Sequence, residues 1–436
     1  MKTASTASER GMVLSVLMKV SDGMMADQAL HSQLQTIPGP EMAQARRFIA
    51  RLTRTTLERA ITLDFFLDMV AKRPMRAQKP DTAWILRMAA AQILYMDSVP
   101  DAAAVNEAVK LAGAAGPKAF INGTLRSFVR RKGTFSFPDR EEDAGRYLQI
   151  RYSVPGWIVQ EVTRAAGEER AEEVLAAFGR EAPLFIRVNT SRISAAALEE
   201  KLSAAGIHVC RRQEAPGILS IENFGAVEAI PGFAEGEFYV QDLSAAAAYG
   251  AAGFISGGAV LDVCGAPGGK SVQAALLMRE KGEPGTVLSC DISEKRLART
   301  ADNVRRLDLP EITVRCRSAV ESCAADEKMY DTVIADVPCS GLGDLRRKPD
   351  IRLRVRRADS RALVPVQRKI LAASFPAVKP GGRLIYSTCT IAGAENQGNA
   401  RWFAAHFPVK KCFEKLYLPD DHWPGDGFYA AVFERI

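Results

Sequence analysis

A short apolar run breaks into a glycine-rich loop at Ala259-Val260-Leu261-Asp262-Val263-Cys264-Gly265-Ala266-Pro267-Gly268-Gly269-Lys270. The apolar part predicts a strand, and the part from Cys264 onward predicts a loop that receives a cofactor. Further strand-like runs follow near 286–290, 312–316, 331–335 and 382–386, separated by Ala- and Leu-rich helical stretches. Apolar strands that alternate with helices predict a doubly wound parallel sheet over residues 241–436.

Two further domains are predicted before this sheet. Residues 1–135 show helical periodicity with almost no strand signal, as in 83–95 and 104–111, which predicts an all-helical domain. A break near 133–145 contains Gly, Pro and an acidic connector. Residues 145–240 then alternate helix-like stretches with short strands at 184–189 and 236–240, which predicts a small α+β domain. The predicted fold class is therefore multidomain.

Composition narrows the class of protein. The chain has 436 residues, 47% of them hydrophobic, and Lys and Arg exceed Asp and Glu by 58 − 51 = 7. Its eight cysteines form no C-x-x-C pair and its four histidines are scattered, so we expect neither a metal site nor a disulfide framework. No apolar run reaches the ~20 residues that span a bilayer, and the N-terminus lacks a signal-peptide core. We expect a soluble, cytoplasmic protein.

The glycine loop admits more than one cofactor class. Gly268-Gly269-Lys270-Ser271 is similar to the end of a phosphate-binding loop, but that motif needs a glycine where Cys264 stands. Asp291 ends the second strand, where a carboxylate can accept hydrogen bonds from ribose hydroxyls. Its alternative role is a helix N-cap. An adenosine-containing ligand is predicted, with NAD and S-adenosylmethionine both open.

Two cysteines follow neighbouring strands of the predicted sheet. Cys339 lies after 331–335 and Cys389 after 382–386, so both side chains are expected at one rim, in one pocket. Inert packing is the alternative for either thiol. A basic stretch at 346–357 follows the first cysteine closely. Such a run is often a solvated helix face, but beside a candidate active site it favours a polyanionic substrate.

Several blocks of the chain resemble the RNA cytosine-C5 methyltransferases. The catalytic blocks are Asp262-Val263-Cys264-Gly265-Ala266-Pro267-Gly268-Gly269-Lys270, Asp336-Val337-Pro338-Cys339-Ser340-Gly341, the basic run 346–352, and Ser387-Thr388-Cys389-Thr390. Residues 152–157, 186–190 and 240–244 resemble the family's small RNA-binding domain and the entry to its catalytic domain. Residues 85–87, 106–109 and 120–126 resemble a NusB-type RNA-binding domain. This order is that of the bacterial 16S rRNA members.

The resemblance implies a Rossmann-like catalytic domain that uses S-adenosylmethionine, and a specific set of roles. Cys389 is the implied nucleophile, Cys339 assists release, and Asp336 hydrogen-bonds the base at N3 and N4. The implied cofactor residues are Cys264, Gly265, Ala266, Pro267, Gly268, Gly269, Lys270, Asp291, Ser318 and Asp336. Ser318 stands where the family commonly has an aspartate, and Lys270 has the alternative role of a helix-start lysine. The implied RNA-binding residues are Arg346, Arg347, Lys348 and Arg352.

The resemblance also implies a substrate. We expect 5-methylcytosine formation in 16S rRNA, of the cytosine 967 type, through a covalent bond between the cysteine and carbon 6. The expected enzyme is a monomer without a metal. Two alternatives remain open, a tRNA cytosine-C5 methyltransferase and an inactive RNA-binding ribosome-assembly factor.

Overall fold

The computed structural model describes residues 8–37, 39, 42–113, 116–253 and 258–436. Internal contacts divide the chain into two units. The first, the helical unit, holds the described residues up to Thr163 together with Gly167–Gly179 and Leu345–Val355. The second, the sheet unit, holds Arg164–Ala166, Arg180–Asp344 and Arg356–Ile436.

The helical unit is built on apolar stripes at helical spacing. In its longest helix the buried residues include Ile49, Leu52, Leu63 and Leu67. They are separated by three or four residues or by about a whole number of helical turns, so they form one face. The prediction of an all-helical N-terminal region is confirmed. The helices are α1 Glu9–Ser21, α2 Ala26–Leu34, α3 Ala43–Asp68, α4 Pro80–Tyr95, α5 Asp101–Leu111, α6 Lys118–Arg131, α7 Ala144–Arg151, α8 Gly156–Ala166 and α9 Glu168–Phe178.

The helices α7 and α9, and α8 except for Arg164–Ala166, belong to the helical unit rather than to the sheet unit with the strands that follow. α7 packs against α3, and Thr62 Oγ1 of α3 donates to the carbonyl of Ile150 in α7 at 2.5 Å. The predicted domain limits of 1–135, 145–240 and 241–436 stay predictions.

A small antiparallel sheet opens the sheet unit. Its strands are β1 Leu184–Val188, β2 His208–Arg211, β3 Ile218–Glu222 and β4 Phe238–Val240, in the order β2-β3-β1-β4, with helix α10 Ala195–Ala204 packed on it. The small α+β region is thus confirmed. The sequence pattern predicts β1 and β4 but not β2 and β3. β2 is a short edge strand with exposed ends, so it lacks the apolar alternation that identifies a half-buried strand.

The second sheet has seven strands in the order β10-β11-β9-β8-β5-β6-β7. Strands β5 to β9 pair parallel wherever they are neighbours, so their carboxyl ends share one edge. Its elements are α11 Leu243–Ala252, β5 Ala259–Asp262, α12 Gly269–Glu280, β6 Thr286–Asp291, α13 Glu294–Leu307, β7 Ile312–Cys316, β8 Tyr330–Asp336, α14 Ile351–Arg354 (in the helical unit), α15 Arg357–Ser374, β9 Val378–Thr388, α16 Gln397–His406, β10 Val409–Tyr417 and β11 Phe428–Arg435.

The prediction of a wholly parallel sheet is wrong at its C-terminal edge. β11 pairs antiparallel with both β9 and β10, which makes the sheet mixed. The connection from β10 to β11 is too short to carry the chain back to the other end of the sheet, so these two strands must run antiparallel. Within the described ranges, no helix combines the length and apolar composition needed to cross a bilayer.

Candidate active site

The carboxyl ends of β8 and β9 bring the two predicted cysteines together. The register of these parallel strands pairs Asp336 with Ser387, so the loops that follow begin side by side. The Sγ atoms of Cys339 and Cys389 lie 3.3 Å apart, and both residues are half-buried. Both thiols can therefore reach one small ring placed over this edge.

Asp336, at the end of β8, is held through both carboxylate oxygens. Its Oδ2 lies 2.5 Å from Lys270 Nζ, and its Oδ1 accepts a hydrogen bond of 2.7 Å from Ser387 Oγ. Burial lowers the pKa of Lys270, but the charge and hydrogen bond of Asp336 outweigh burial, so the pKa lies above its ordinary value. Lys270 is thus an ammonium that joins the glycine loop to the predicted base-reading carboxylate.

Sequence reasoning missed the residues behind Asp336. Tyr249 Oη lies 2.8 Å from Ser387 Oγ, which extends the hydrogen-bonded group into the core. Tyr249 is fully buried on α11. The available signal was a single tyrosine within an alanine-rich helix, which alone predicts only packing.

The glycine loop between β5 and α12 is tight because its glycines have no side chains. A Cβ on Gly265 would lie 2.2 Å from Ser289 Oγ, and Gly268 has a φ of +107°, which favours glycine. The amide of Gly265 donates to the carbonyl of Cys290 at the end of β6. The loop therefore leads directly into α12, whose first amides are available to a ligand at the sheet edge.

The carboxyl group of Asp262 is buried beneath this loop. Its side chain is 0% exposed, and Oδ2 accepts a 2.7 Å hydrogen bond from Ser271 Oγ. Oδ1 has no hydrogen-bond partner within the described part of the chain. Burial raises the pKa of Asp262 to about 7, although the Ser271 hydrogen bond acts in the opposite direction. An unmatched buried acceptor beside the loop fits a ligand that carries hydrogen-bond donors.

Asp291 and Ser318 lie at the same edge. Asp291 is buried, its Oδ1 accepts from the Ser293 amide, and Arg296 Nη2 lies 3.3 Å from its Oδ2. The side chain of Ser293, not of Asp291, caps α13, so the N-cap alternative for Asp291 does not hold. Ser318 follows β7, whose extension is joined to β6 because the Arg317 amide donates to the Asp291 carbonyl. The predicted roles of Asp291 and Ser318 toward the ribose and adenine of an adenosine cofactor stay predictions.

The four predicted RNA-binding residues lie in the helical unit, in Leu345–Val355, whereas the thiols lie in the sheet unit. Arg352 is 3% exposed and donates to the carbonyls of Leu345 and Phe178, at 2.7 Å and 2.9 Å. Burial lowers its pKa to about 10. Arg346 is also buried, while Arg347 and Lys348 are half-buried. Among the described residues, no cluster of three or more His, Cys, Asp or Glu side chains is arranged to hold a metal ion.

Family models match three segments of the chain. They describe the NusB family over residues 7–130, a ferredoxin-like domain of RsmF/B-like methyltransferases over 154–228, and the 16S rRNA methyltransferase RsmB/F over 255–433. The probable ribosomal RNA small subunit methyltransferase B of Bacillus subtilis is 34% identical over 408 residues, covering 92% of this chain and 89% of that protein. The chain belongs to the ribosomal RNA small subunit methyltransferase B family.

Further comparisons agree with membership of the methyltransferase B family. The ribosomal RNA small subunit methyltransferase B of Salmonella newport is 30% identical over 426 residues, with 94% of this chain and 95% of that protein covered. The crystal structure of PH0851 matches the fold with a TM-score of 0.79 at 22% identity, covering 100% of both chains. The predicted enzyme class, an S-adenosylmethionine-dependent rRNA methyltransferase, and the predicted methyl donor are confirmed.

The loop geometry leads to a prediction for Gly265. In Gly265→Ala the new Cβ collides with Ser289 Oγ, and overpacking of this kind costs about 1–3 kcal/mol. We expect the free energy of unfolding to fall by that amount and S-adenosylmethionine to bind about tenfold more weakly. Denaturant unfolding and titration calorimetry measure the two effects.

Gly123→Ala is the matched control. Gly123 is exposed in α6, and a Cβ there meets no atom within 4 Å, so the substitution should raise helix stability by up to about 1 kcal/mol and leave cofactor binding unchanged. Wild-type cofactor affinity in Gly265→Ala would contradict the proposed role of this loop.

Proposed function

We propose that the enzyme methylates carbon 5 of a cytosine in 16S rRNA, of the cytosine 967 type, through a covalent bond between Cys389 and carbon 6. The observation that carries the proposal is the 3.3 Å approach of Cys389 and Cys339 beside Asp336. A reaction that used a single nucleophile would need only one thiol at this edge of the sheet. Two thiols within reach of one ring match a reaction that makes a covalent bond and later breaks it.

Cys389 begins the reaction. Carbon 5 of cytosine is a poor nucleophile, but addition of the Cys389 thiolate to carbon 6 converts the ring to an enamine. In this step the S–C6 bond forms, and the electron pair of the C5–C6 double bond becomes available at carbon 5. S-adenosylmethionine, held by the glycine loop and Asp291, would supply an electrophilic methyl group to carbon 5 and would keep the electron pair of the broken C–S bond on its sulfur.

Cys339 completes the reaction. Its thiolate takes the proton from carbon 5, and the C–H electron pair re-forms the C5–C6 double bond. The C6–S pair returns to Cys389 as a thiolate, which releases the RNA. Asp336 accepts a hydrogen bond from the N4 amino group, and it bonds N3 when a proton lies between the carboxyl oxygen and N3. Lys270 and Ser387 hold the carboxyl group in the orientation this requires.

RNA binding in this proposal uses the basic segment and the helical unit. Arg346, Arg347, Lys348 and Arg352 contribute positive charge toward phosphates. For Arg346 and Arg352 a direct phosphate contact requires the side chain to leave its buried position, so the half-buried Arg347 and Lys348 are the more accessible contacts. A target base that meets Cys389 must be unstacked or lie in a single-stranded loop. We also propose that the enzyme is cytoplasmic, monomeric and free of metal.

The test uses 16S rRNA that contains 5-fluorocytosine. Fluorine at carbon 5 cannot leave as a proton does, so we expect a protein–RNA complex that survives denaturing electrophoresis when S-adenosylmethionine is present. Cys412→Ser, which changes an exposed cysteine on β10, should trap RNA as the wild type does. Absence of both adduct and methyl transfer on 16S rRNA would reject the proposal, and trapping confined to 5-fluorocytosine tRNA would favour the tRNA alternative.

A further inference from the structure

Two adjacent buried residues lie between the Cys389 loop and α16. Glu395 and Asn396 are each 0% exposed, although both side chains are polar. Buried polar groups are stable only when their hydrogen bonds are satisfied. Their partners include Ser340, directly after Cys339, and Thr388 and Thr390, on either side of Cys389.

Glu395 holds the loop that carries Cys339. Its Oε2 accepts 3.0 Å from the Ser340 amide, directly after the cysteine. Gln367 Nε2 donates both to Glu395 Oε2, at 2.8 Å, and to the carbonyl of Pro338, directly before the cysteine. Ser360 Oγ on α15 donates to Oε1 at 2.6 Å. Glu395 thus joins Ser340 to α15, and Gln367 of the same helix holds Pro338.

Asn396 holds the loop that carries Cys389. Its Oδ1 accepts from Thr388 Oγ1 at 2.6 Å, directly before the cysteine. Its Nδ2 donates to the carbonyl of Thr390 at 2.8 Å, directly after the cysteine. One amide side chain therefore satisfies an acceptor and a donor on the two sides of the nucleophile.

We propose that Glu395 and Asn396 are positioning residues that divide the labour between the thiols: Glu395 orients Cys339 for release, and Asn396 orients Cys389 for attack. The inference rests on the proposed function. Attack and release act on different atoms of one ring, so each thiol needs its own orientation, and a displacement of about 1 Å can cost about 10²-fold in rate. The Ser340 and Thr390 hydroxyls, 2.8 Å apart, join the two loops.

Glu395→Gln tests the first half. Glutamine has the same size, but its NH2 group would face a hydrogen-bond donor at a position where the carboxylate accepts a hydrogen bond. We expect trapping on 5-fluorocytosine 16S rRNA to stay within about twofold of wild type. On unmodified 16S rRNA the covalent fraction should rise, and multiple-turnover methyl transfer should fall about tenfold, because release alone is slowed.

Asn396→Asp tests the second half. Aspartate keeps an acceptor for Thr388 and removes the donor to Thr390. We expect the trapping rate on 5-fluorocytosine 16S rRNA to fall about tenfold, without any covalent species on unmodified RNA. The affinity of Asn396→Asp for S-adenosylmethionine should stay within about twofold of wild type, whereas a residue that served only folding would lower cofactor binding along with trapping.

Ser374→Ala is the matched control, since this buried hydroxyl on α15 bonds the Ile370 carbonyl and not the loops. Its balance between trapping and turnover should equal that of the wild type. If Glu395→Gln does not fold, Gln367→Met removes the donors to Pro338 and Glu395 and should also accumulate adduct. Equal loss of trapping and turnover in Glu395→Gln, or loss of cofactor binding together with trapping in Asn396→Asp, overturns the inference alone. A wild type that never traps overturns the proposed function with it.

Discussion

Cys389→Ala is expected to lose both covalent trapping and methyl transfer, the latter by at least about 10³-fold. The structure has the Cys339 thiol only 3.3 Å away, yet that thiol sits in a loop held by other contacts and is assigned to release. Without the Cys389 sulfur no bond forms to carbon 6, and carbon 5 stays too poor a nucleophile to take a methyl group. Single-turnover methyl transfer to 16S rRNA and denaturing electrophoresis with 5-fluorocytosine RNA measure the two losses.

Cofactor binding distinguishes loss of chemistry from loss of fold in this variant. The substitution changes no residue of the glycine loop and leaves Asp336 in place, so S-adenosylmethionine affinity should stay within about twofold of wild type. Cys290→Ala, at a fully buried cysteine on β6, serves as a control for removal of a thiol elsewhere. A Cys389→Ala enzyme that still traps 5-fluorocytosine RNA would assign the attack to another residue.

Cys339→Ala is expected to do the opposite, and to accumulate covalent RNA on an unmodified substrate. Attack by Cys389 remains, but the group that takes the carbon-5 proton is gone, so the C6–S bond breaks slowly. General acid–base assistance contributes about 10²–10⁴-fold, and we expect multiple-turnover methylation to fall by about that factor. The covalent fraction on denaturing gels, followed against time after a single addition of RNA, measures the release step.

The double variant supplies the check on this second prediction. Cys339→Ala with Cys389→Ala should show no covalent RNA, because the accumulated bond belongs to Cys389. Free turnover by Cys339→Ala would remove the release role from this thiol, and adduct in the double variant would place the bond on a different residue.

Local patterns predicted the parallel core of the fold well. The strands β5 to β9 and the helices between them are apolar runs of ordinary length bounded by turn residues, and such runs can be recognised from the local sequence. The strands β2, β3, β10 and β11 were not predicted. In the edge strands β2 and β10 the exposed polar residues do not alternate in the way that marks a half-buried strand. The antiparallel placement of β11 depends on which strand it pairs with, and pairing is not a local property.

In the candidate site, too, some features follow from the sequence and others only from the folded structure. The sequence by itself determined which groups are candidates for the reaction, since a glycine loop after a strand, thiols after two neighbouring strands and the family resemblance all depend on residue type and spacing. Only the tertiary structure decided which atoms meet: the Asp336–Ser387 register, the Lys270–Asp336 ion pair, and the hold of Glu395 and Asn396 on the two cysteine loops. It also decided that Arg352, one more cation in a basic run, is buried against backbone carbonyls. The physical reason is that residue type sets what a side chain can do within its own few neighbours, whereas its partners, burial and pKa depend on segments that only the folded packing brings within reach.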